Sequence, residues 1–397
     1  MKKKILHGIL AGLLVFGLAF TGCEEHTCQF EYKTTTQATI AAFGSEIQTC
    51  TICSKTQGSA RQFDIDFGTN LPIGGIRSFN NAIDLYEFWT DDSLASGNYA
   101  VLITTDLDLS NDMLGLGVDD GSGIAISLRG AIGATKVKIE SNYVILQIIN
   151  NEKVILRNII LSSDISMFAV VESSSTFEMK EGAVITGGAM IGVSISDGGE
   201  FIMHNGEIYG NDSGVLIYDE GKFTMHGGEI YENVHESVTL SGSEFIMHGG
   251  KIYETQNGVI INDESEFIMH DGEIYGNSFC GVFIDNESEF IMHGGKIYGN
   301  SFYGVYSWSG KFTMDGGEIY GNDDTGVFVG GPNAVFAKNP GGVIYGTDGN
   351  KANTEYAVLV ESLAYRETTV TSAETLKMTI DTNGGGIASQ QGTWDIW

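Results

Sequence analysis

Proline is nearly absent from this chain, 3 in 397 residues, which excludes collagen-like helices and proline-rich spacers. Positive charge is scarce as well. The 21 Lys and Arg face 51 Asp and Glu, giving a formal net charge of −30. A phosphate-binding surface needs the opposite sign, so no nucleic-acid partner is expected. Arginine is missing between Arg157 and Arg366. Beyond the N-terminus there is no apolar run long enough to cross a bilayer. Nor does the C-terminus carry the train of alternating strands that an outer-membrane barrel needs. Glycine, in contrast, is abundant at 54 residues, alongside a hydrophobic fraction of 42% and an aromatic fraction of 10%. Those values exclude an acidic disordered chain and point to β-structure with many tight turns. The length suits either two or three globular domains or one elongated repeat domain.

Residues 1–22 read as a targeting segment: Lys2, Lys3 and Lys4, then an apolar stretch at 5–20 shorter than a membrane span. It ends Phe20-Thr21-Gly22-Cys23. Small residues just before a cysteine resemble the bacterial lipobox. The resemblance implies cleavage before Cys23, a diacylglycerol on its thiol, and a lipid anchor in the cell envelope, at the outer membrane or cell surface.

Residues 23–76 form a small cysteine-bearing segment. His26, Cys28 and the Cys50-Thr51-Ile52-Cys53 pair sit in it, and it is similar to short zinc-ribbon-like segments. Three alternatives stay open: a disulfide from Cys28 to Cys50 or Cys53, as an exported protein permits; a structural zinc site; or thiols. Cys280 aligns with Tyr303 of the next repeat, where a packed, inert thiol is expected.

The main signal is a repeat. Phe recurs at 177, 201, 223, 245, 267, 290 and 312, with Met two residues later each time. Residues 245–253 and 290–298 both read FIMHGGKIY, and Phe336 with Gly341-Gly342-Val343-Ile344-Tyr345 is a degraded further copy. Each unit of ~22 residues holds three short runs with period-2 apolar patterning, separated by Gly, Asn, Asp and Ser. Three short strands per unit build one coil of a right-handed, single-stranded parallel β-helix, because a lone coil cannot bury its own apolar side chains. A leucine-rich repeat fits the period but requires Leu where this unit has Gly-Gly.

Stacking turns repeat positions into columns. Phe, Met and the Ile of Ile-Tyr are expected to point inward. Asn211, Asn233, Asn277, Asn300 and Asn322 recur at one turn as an asparagine ladder, with a break expected at Thr255. Three outward columns are candidate functional surfaces. His204, His226, His248, His270 and His293 read as a metal- or proton-responsive stripe or as a plain solvent-facing repeat position, which Asp315 then takes over. Tyr209, Tyr231, Tyr253, Tyr275, Tyr298 and Tyr320 read as a binding ladder or as a brace between strands. Asp219/Glu220, Asp263/Glu264 and Asp285/Glu287 read as calcium ligands or as a solvated turn. For each column the structural reading carries more weight. No cofactor is firmly expected beyond a structural zinc or calcium ion.

Around the repeat, residues 77–96 are expected to form a helical cap, with Phe79, Ile83, Leu85 and Phe88 at helical spacing over 78–89. Residues 97–350 form the β-helix, and 351–397 finish the coils and close the C-terminal end. The repeat pattern, the cap, residues 106–110 and the late Gly392-Thr393-Trp394 resemble bacterial surface repeat lipoproteins with a pectin-lyase-like β-helix. That resemblance implies an exported, adhesin-like protein with no catalytic residues. Host protein or polysaccharide is the expected partner, since repetition at fixed spacing favours avidity over one tight pocket; oligomeric state is not legible. The enzyme reading, a polysaccharide lyase or hydrolase, lacks its usual basic residues, and Asp323-Asp324 is the only acidic pair in the right region. A passive envelope spacer is the third reading.

Overall fold

Each repeat forms three short strands that meet at sharp corners, for example Glu244–Met247, Lys251–Tyr253 and Asn257–Asn262. The structure, a computed structural model, describes residues 29–38, 44–63, 65–67, 76–91, 94–109, 123–131, 136–142, 144–163, 169–188, 190–331, 334–339, 341–345, 353, 356–360, 365–368, 387–389 and 395–396. The signal segment, Cys23, His26, Cys28 and residues 392–394 lie outside the described residues. The chain divides into two units, Met1–Gly75 and Ile76–Trp397.

In the larger unit, successive strands accumulate into three parallel sheets, one of 14 strands and two of 11. They are named here the Phe, Tyr and Val faces after the residue each repeats. Pairing is like on like: Phe201, Phe223, Phe245, Phe267, Phe290 and Phe312 are successive partners. This is the expected parallel β-solenoid. The irregular pieces before the repeat, such as Ile124–Gly130 and Lys153–Arg157, are earlier coils of the Phe face.

The inward columns fall where the period-2 pattern puts them. Phe, Met, and the Ile of Ile-Tyr are buried in every regular coil, as are the Val-face Val215, Val238, Val259 and Val282. Neighbouring Phe rings stack at centroid distances down to 4.6 Å, close to the spacing of adjacent strands. The Gly-Gly corner is dictated by the methionine below it. Gly250 has φ +97°, and a Cβ there would lie 2.5 Å from the Met225 Cε.

Asparagine holds one corner. The Nδ2 of Asn277 donates to Asn300 Oδ1 at 2.9 Å, and Asn300 donates likewise to Asn322. The ladder runs one coil beyond the sequence reading, from Asn322 to Asn353 at 2.9 Å. The left-handed backbone belongs to the residue before the asparagine, Gly210 at 67° or Glu232 at 50°, so the asparagines serve as buried hydrogen-bond relays. The expected break at Thr255 is one-sided: its hydroxyl still donates to Asn277 Oδ1 at 2.9 Å. A second, unanticipated ladder links buried serines, with the Ser243 N–H donating to Ser265 Oγ and the Ser265 N–H to Ser288 Oγ.

The cap helix is shorter than expected. It spans Ala82–Trp89, and Asn81 caps it by accepting from the Asp84 N–H. Residues 78 and 79 belong to the strand Ile76–Phe79 instead. Ile83 is 59% exposed, and Trp89 joins Leu85 and Phe88 in the core in its place. The smaller unit contains a three-stranded antiparallel sheet, Phe30–Thr36, Gly44–Cys50 and Thr56–Phe63.

The degraded copy carries one feature the pattern missed. Lys338 takes the inward position of Met314 and is fully buried. Its ammonium donates to the carbonyls of Asn339 and Gly341. Burial pushes its pKa down to about 8. A Lys338→Met variant restores the column, and it is expected to be more stable at pH 7 by roughly 2–3 kcal/mol. The wild-type lysine sheds its penalty as the pH rises from about 8 toward its ordinary 10.5, so the gain should shrink over that window. Denaturant midpoints at the two ends of the window test this, and a variant less stable than wild type at pH 7 would contradict it.

Candidate functional site

The Tyr face presents the tyrosine column as a continuous stack. Tyr209, Tyr231, Tyr253, Tyr275, Tyr298 and Tyr320 follow one another at 5.0, 5.0, 4.9, 4.9 and 4.9 Å, nearly parallel. Each ring is half-buried. The hydroxyls of Tyr231 and Tyr253 donate to Glu207 and Glu229 of the preceding coil at 2.9 and 2.8 Å. Burial, followed by the Glu229 hydrogen bond, pushes the Tyr253 phenol far up. Ring faces are therefore covered by neighbouring rings, and the column offers edges and hydroxyls only.

The histidines stack in the same way, at 5.3, 5.0, 4.9 and 5.2 Å from His204 to His293. Carboxylates close both ends: His204 Nε2 lies 3.6 Å from Glu178, and His293 Nδ1 lies 2.9 Å from Asp315. Burial raises Glu178, but Lys153 and Lys180 outweigh it and hold this carboxyl below its ordinary value. Two metal–nitrogen bonds span ~4.2 Å at most. Parallel rings about 5 Å apart cannot share an ion without leaving the stack. Among the described residues, no group of three or more His, Cys, Asp or Glu is placed to hold a metal.

Charge is arranged in columns too. On the Tyr face, Lys251 pairs with Glu229 at 3.1 Å and Lys296 with Glu273 at 3.5 Å. On the Phe face, Lys222 pairs with Glu244 at 3.6 Å and Lys311 with Glu289 at 2.8 Å. The lysines that replace glutamate in the repeat thus neutralise neighbours in their own column. Glu266 lies between Glu244 and Glu289, and burial followed by those two charges raises its pKa.

The acidic turn before Phe is built from paired left-handed residues, Asp263 and Glu264 at φ 55° and 61°, and Asn286 and Glu287 at 48° and 60°. Together with Ser309 these four line a cavity of about 390 Å³. Both oxygens of Asp263 already accept hydrogen bonds, from Asn286 at 3.0 Å and Ser241 at 2.8 Å.

In the smaller unit, Cys50 is a buried thiol, whereas Cys53 is in a disulfide whose partner lies outside the described residues. The C-x-x-C residues are therefore not bonded to each other, and Cys53 is removed from the zinc ligand set. Cys280 pairs with Tyr303 as expected; it is buried, its Sγ donates to Asn257 Oδ1 at 3.2 Å, and burial pushes its pKa far up.

One surface escaped the sequence reading because it departs from the repeat instead of following it. Phe279, Phe283, Phe302, Tyr303, Tyr306, Trp308 and Phe328 form a single aromatic cluster on the Val face and at its corners. The signal was available in the sequence: where earlier coils read Thr239 and Ile260, later ones read Phe283 and Tyr306.

The family described as right handed beta helix region matches residues 122–289 and, overlapping, 245–372. These matches cover more than half of the chain, and the protein belongs to the right-handed β-helix family. No curated protein and no solved structure matches it.

The histidine stack generates a pH test. Burial, then the neighbouring His248 and His293, hold the His270 pKa below its ordinary 6.5. As the pH falls through 6.5, the unfolded chain takes up this proton before the folded one, so the stability contributed by the neutral ring is lost. His270→Gln should therefore lose less melting temperature than wild type between pH 7.5 and 5. Equal losses in thermal melts would contradict this.

Proposed function

We propose that this protein is an exported, lipid-anchored, non-catalytic binding scaffold of the cell envelope, an adhesin-like body that contacts host protein or glycan. The observation that carries the reading is the regularity of the outward columns. From Tyr209 to Tyr320 and from His204 to His293 the same side chains recur at one spacing. Repetition at fixed spacing favours avidity over one tight pocket. Catalysis normally requires unique residues that interrupt such a repeat.

The one acidic pair that invited an enzyme reading argues for structure as well. The Asp324 N–H donates to the Phe302 carbonyl at 3.0 Å, and its carboxylate accepts from Thr325 at 2.9 Å. The aromatic cluster beside it supplies apolar contact rather than acid–base groups. The anchor is supported by Lys2, Lys3, Lys4 and the Phe20-Thr21-Gly22-Cys23 sequence. Among the described residues no helix is long and apolar enough to cross a membrane.

Labelling, protease shaving, binding and sugar-release assays test this. Metabolic labelling with palmitate should mark the wild type and not Cys23→Ser; equal labelling would refute the anchor. Protease shaving of intact cells should release the solenoid, and the purified body should bind cells or a glycan array without releasing reducing or unsaturated sugar ends from polygalacturonate. Release of such ends would establish the enzyme reading instead. An absence of binding to any surface would leave a passive spacer.

A further inference from the structure

The Val face changes character along the solenoid. Its outward column runs Leu216, Thr239, Ile260, then Phe283, Tyr306 and Phe328. Phe283 and Tyr306 stack at 5.3 Å, and Tyr306 and Phe328 at 4.6 Å. Tyr303 braces this stack against Phe328 at 5.4 Å. At one end of the strand Tyr303–Ser307, Phe302 packs on Phe279 at 5.7 Å. Past the other end, Trp308 lies parallel to Tyr306 at 6.3 Å and 10°.

This strip is open to solvent at its two ends, with Phe302 47% and Trp308 42% exposed, whereas Phe328 is buried at 6%. The next coil passes this corner with two glycines, Gly330 and Gly331, the latter at φ +77°. A Cβ on Gly330 would stand 2.6 Å from Phe328 Cε1 and 3.3 Å from Trp308 Cε3, and one on Gly331 would stand 2.0 Å from the Trp308 carbonyl oxygen. Trp308 is thus held against Tyr306 and the glycine corner while it stays 42% exposed.

Carboxylates frame both ends of the strip. Beyond Trp308, Ser309 donates to Asp285 and accepts from the Asn286 N–H at 2.8 Å, at the rim of the cavity that Asp263, Glu264 and Glu287 also line. Beyond Phe302 come Asp323 and Asp324, the latter bonded through its N–H to the Phe302 carbonyl. The lysines of this stretch, Lys296 and Lys311, lie on the other two faces and are paired with Glu273 and Glu289.

We propose that this acid-framed aromatic strip is the docking surface for a lysine- and arginine-rich segment of a partner protein. The proposal rests on the binding-scaffold reading above and names the partner's chemistry. A guanidinium stacks flat on an exposed aromatic face while its remaining donors reach carboxylates. The net charge of −30 draws a cationic partner toward the surface. A neutral glycan would use the ring faces but leave the flanking carboxylates without a charge partner.

Fluorescence anisotropy of a labelled, alternating Arg–Gly peptide with the full chain tests this, with a Gln–Gly peptide as the neutral control. The Arg–Gly peptide should bind in a salt-dependent manner and the control should not. Trp308→Ala combined with Phe302→Ser, which leaves net charge unchanged, should weaken binding about tenfold. Met190→Ser, at a residue that is 58% exposed, should leave it unchanged. Asp323→Asn with Asp324→Asn keeps the hydrogen-bond acceptors and should both weaken binding and flatten its salt dependence. It provides a second test should the aromatic variant unfold. Equal affinity in the wild type and both double variants would overturn the proposal. So would a neutral β-glucan oligosaccharide that binds more tightly and loses binding with Trp308→Ala. Failure here with retained cell binding by the whole protein would refute this partner alone and leave the scaffold reading intact.

Discussion

Stacking in register is the constraint from which the rest of this structure follows. A coil of ~22 residues with three short strands has no interior of its own; only the coil above and the coil below convert its inward side chains into a core. Register is what makes that core close-packed. When Phe245 pairs with Phe267 and Met247 with Met269, flat rings and flexible thioethers each meet their own shape. A slip of one residue would turn Phe and Met outward together and bring half-exposed Ile246 and Ile268 inward. The buried asparagine and serine ladders add a polar constraint at two of the corners, since each amide or hydroxyl finds its partner only in the correct layer.

The same rule that builds the core creates a problem outside it. Like residues on like positions means like charges at about 5 Å. This chain answers in three ways. Lysines replace glutamates at 222, 251, 296 and 311, next to the carboxylates they neutralise. Tyrosine hydroxyls donate to glutamates one coil back. The histidine stack keeps His270 below its ordinary pKa and ends on carboxylates. The outward columns therefore brace the solenoid as well as presenting one pattern at fixed spacing, and the surface that departs from the repeat adds a site of different chemistry.

The fold was legible in the sequence because a short period repeated many times leaves little freedom: FxM, GG and IY fixed the faces, the inward columns and the asparagine corner. What was not legible came from departures and from local backbone competition. Asn81 is a better start for the cap helix than the apolar spacing over 78–89 implied, so Phe79 stays in a strand. Lys338 falls outside the residues that mark the degraded copy, and only the register places it in the methionine column. The aromatic cluster draws its members from several coils, and only stacking brings Phe279, Tyr306 and Trp308 together. Cys53 was one of several open choices, since spacing alone does not select a disulfide partner.

Distances across many coils test the central claim most directly. Nitroxide pairs on the outward positions of the Phe face, Thr224 with Thr313 and Ile202 with Thr313, span four and five steps of the ladder. At ~4.8 Å per step, pulsed electron spin resonance should give backbone separations of about 19 and 24 Å, increasing by one strand spacing per coil. Separations that fail to increase with coil number, or that match helices or two packed sheets, would contradict the stacked solenoid.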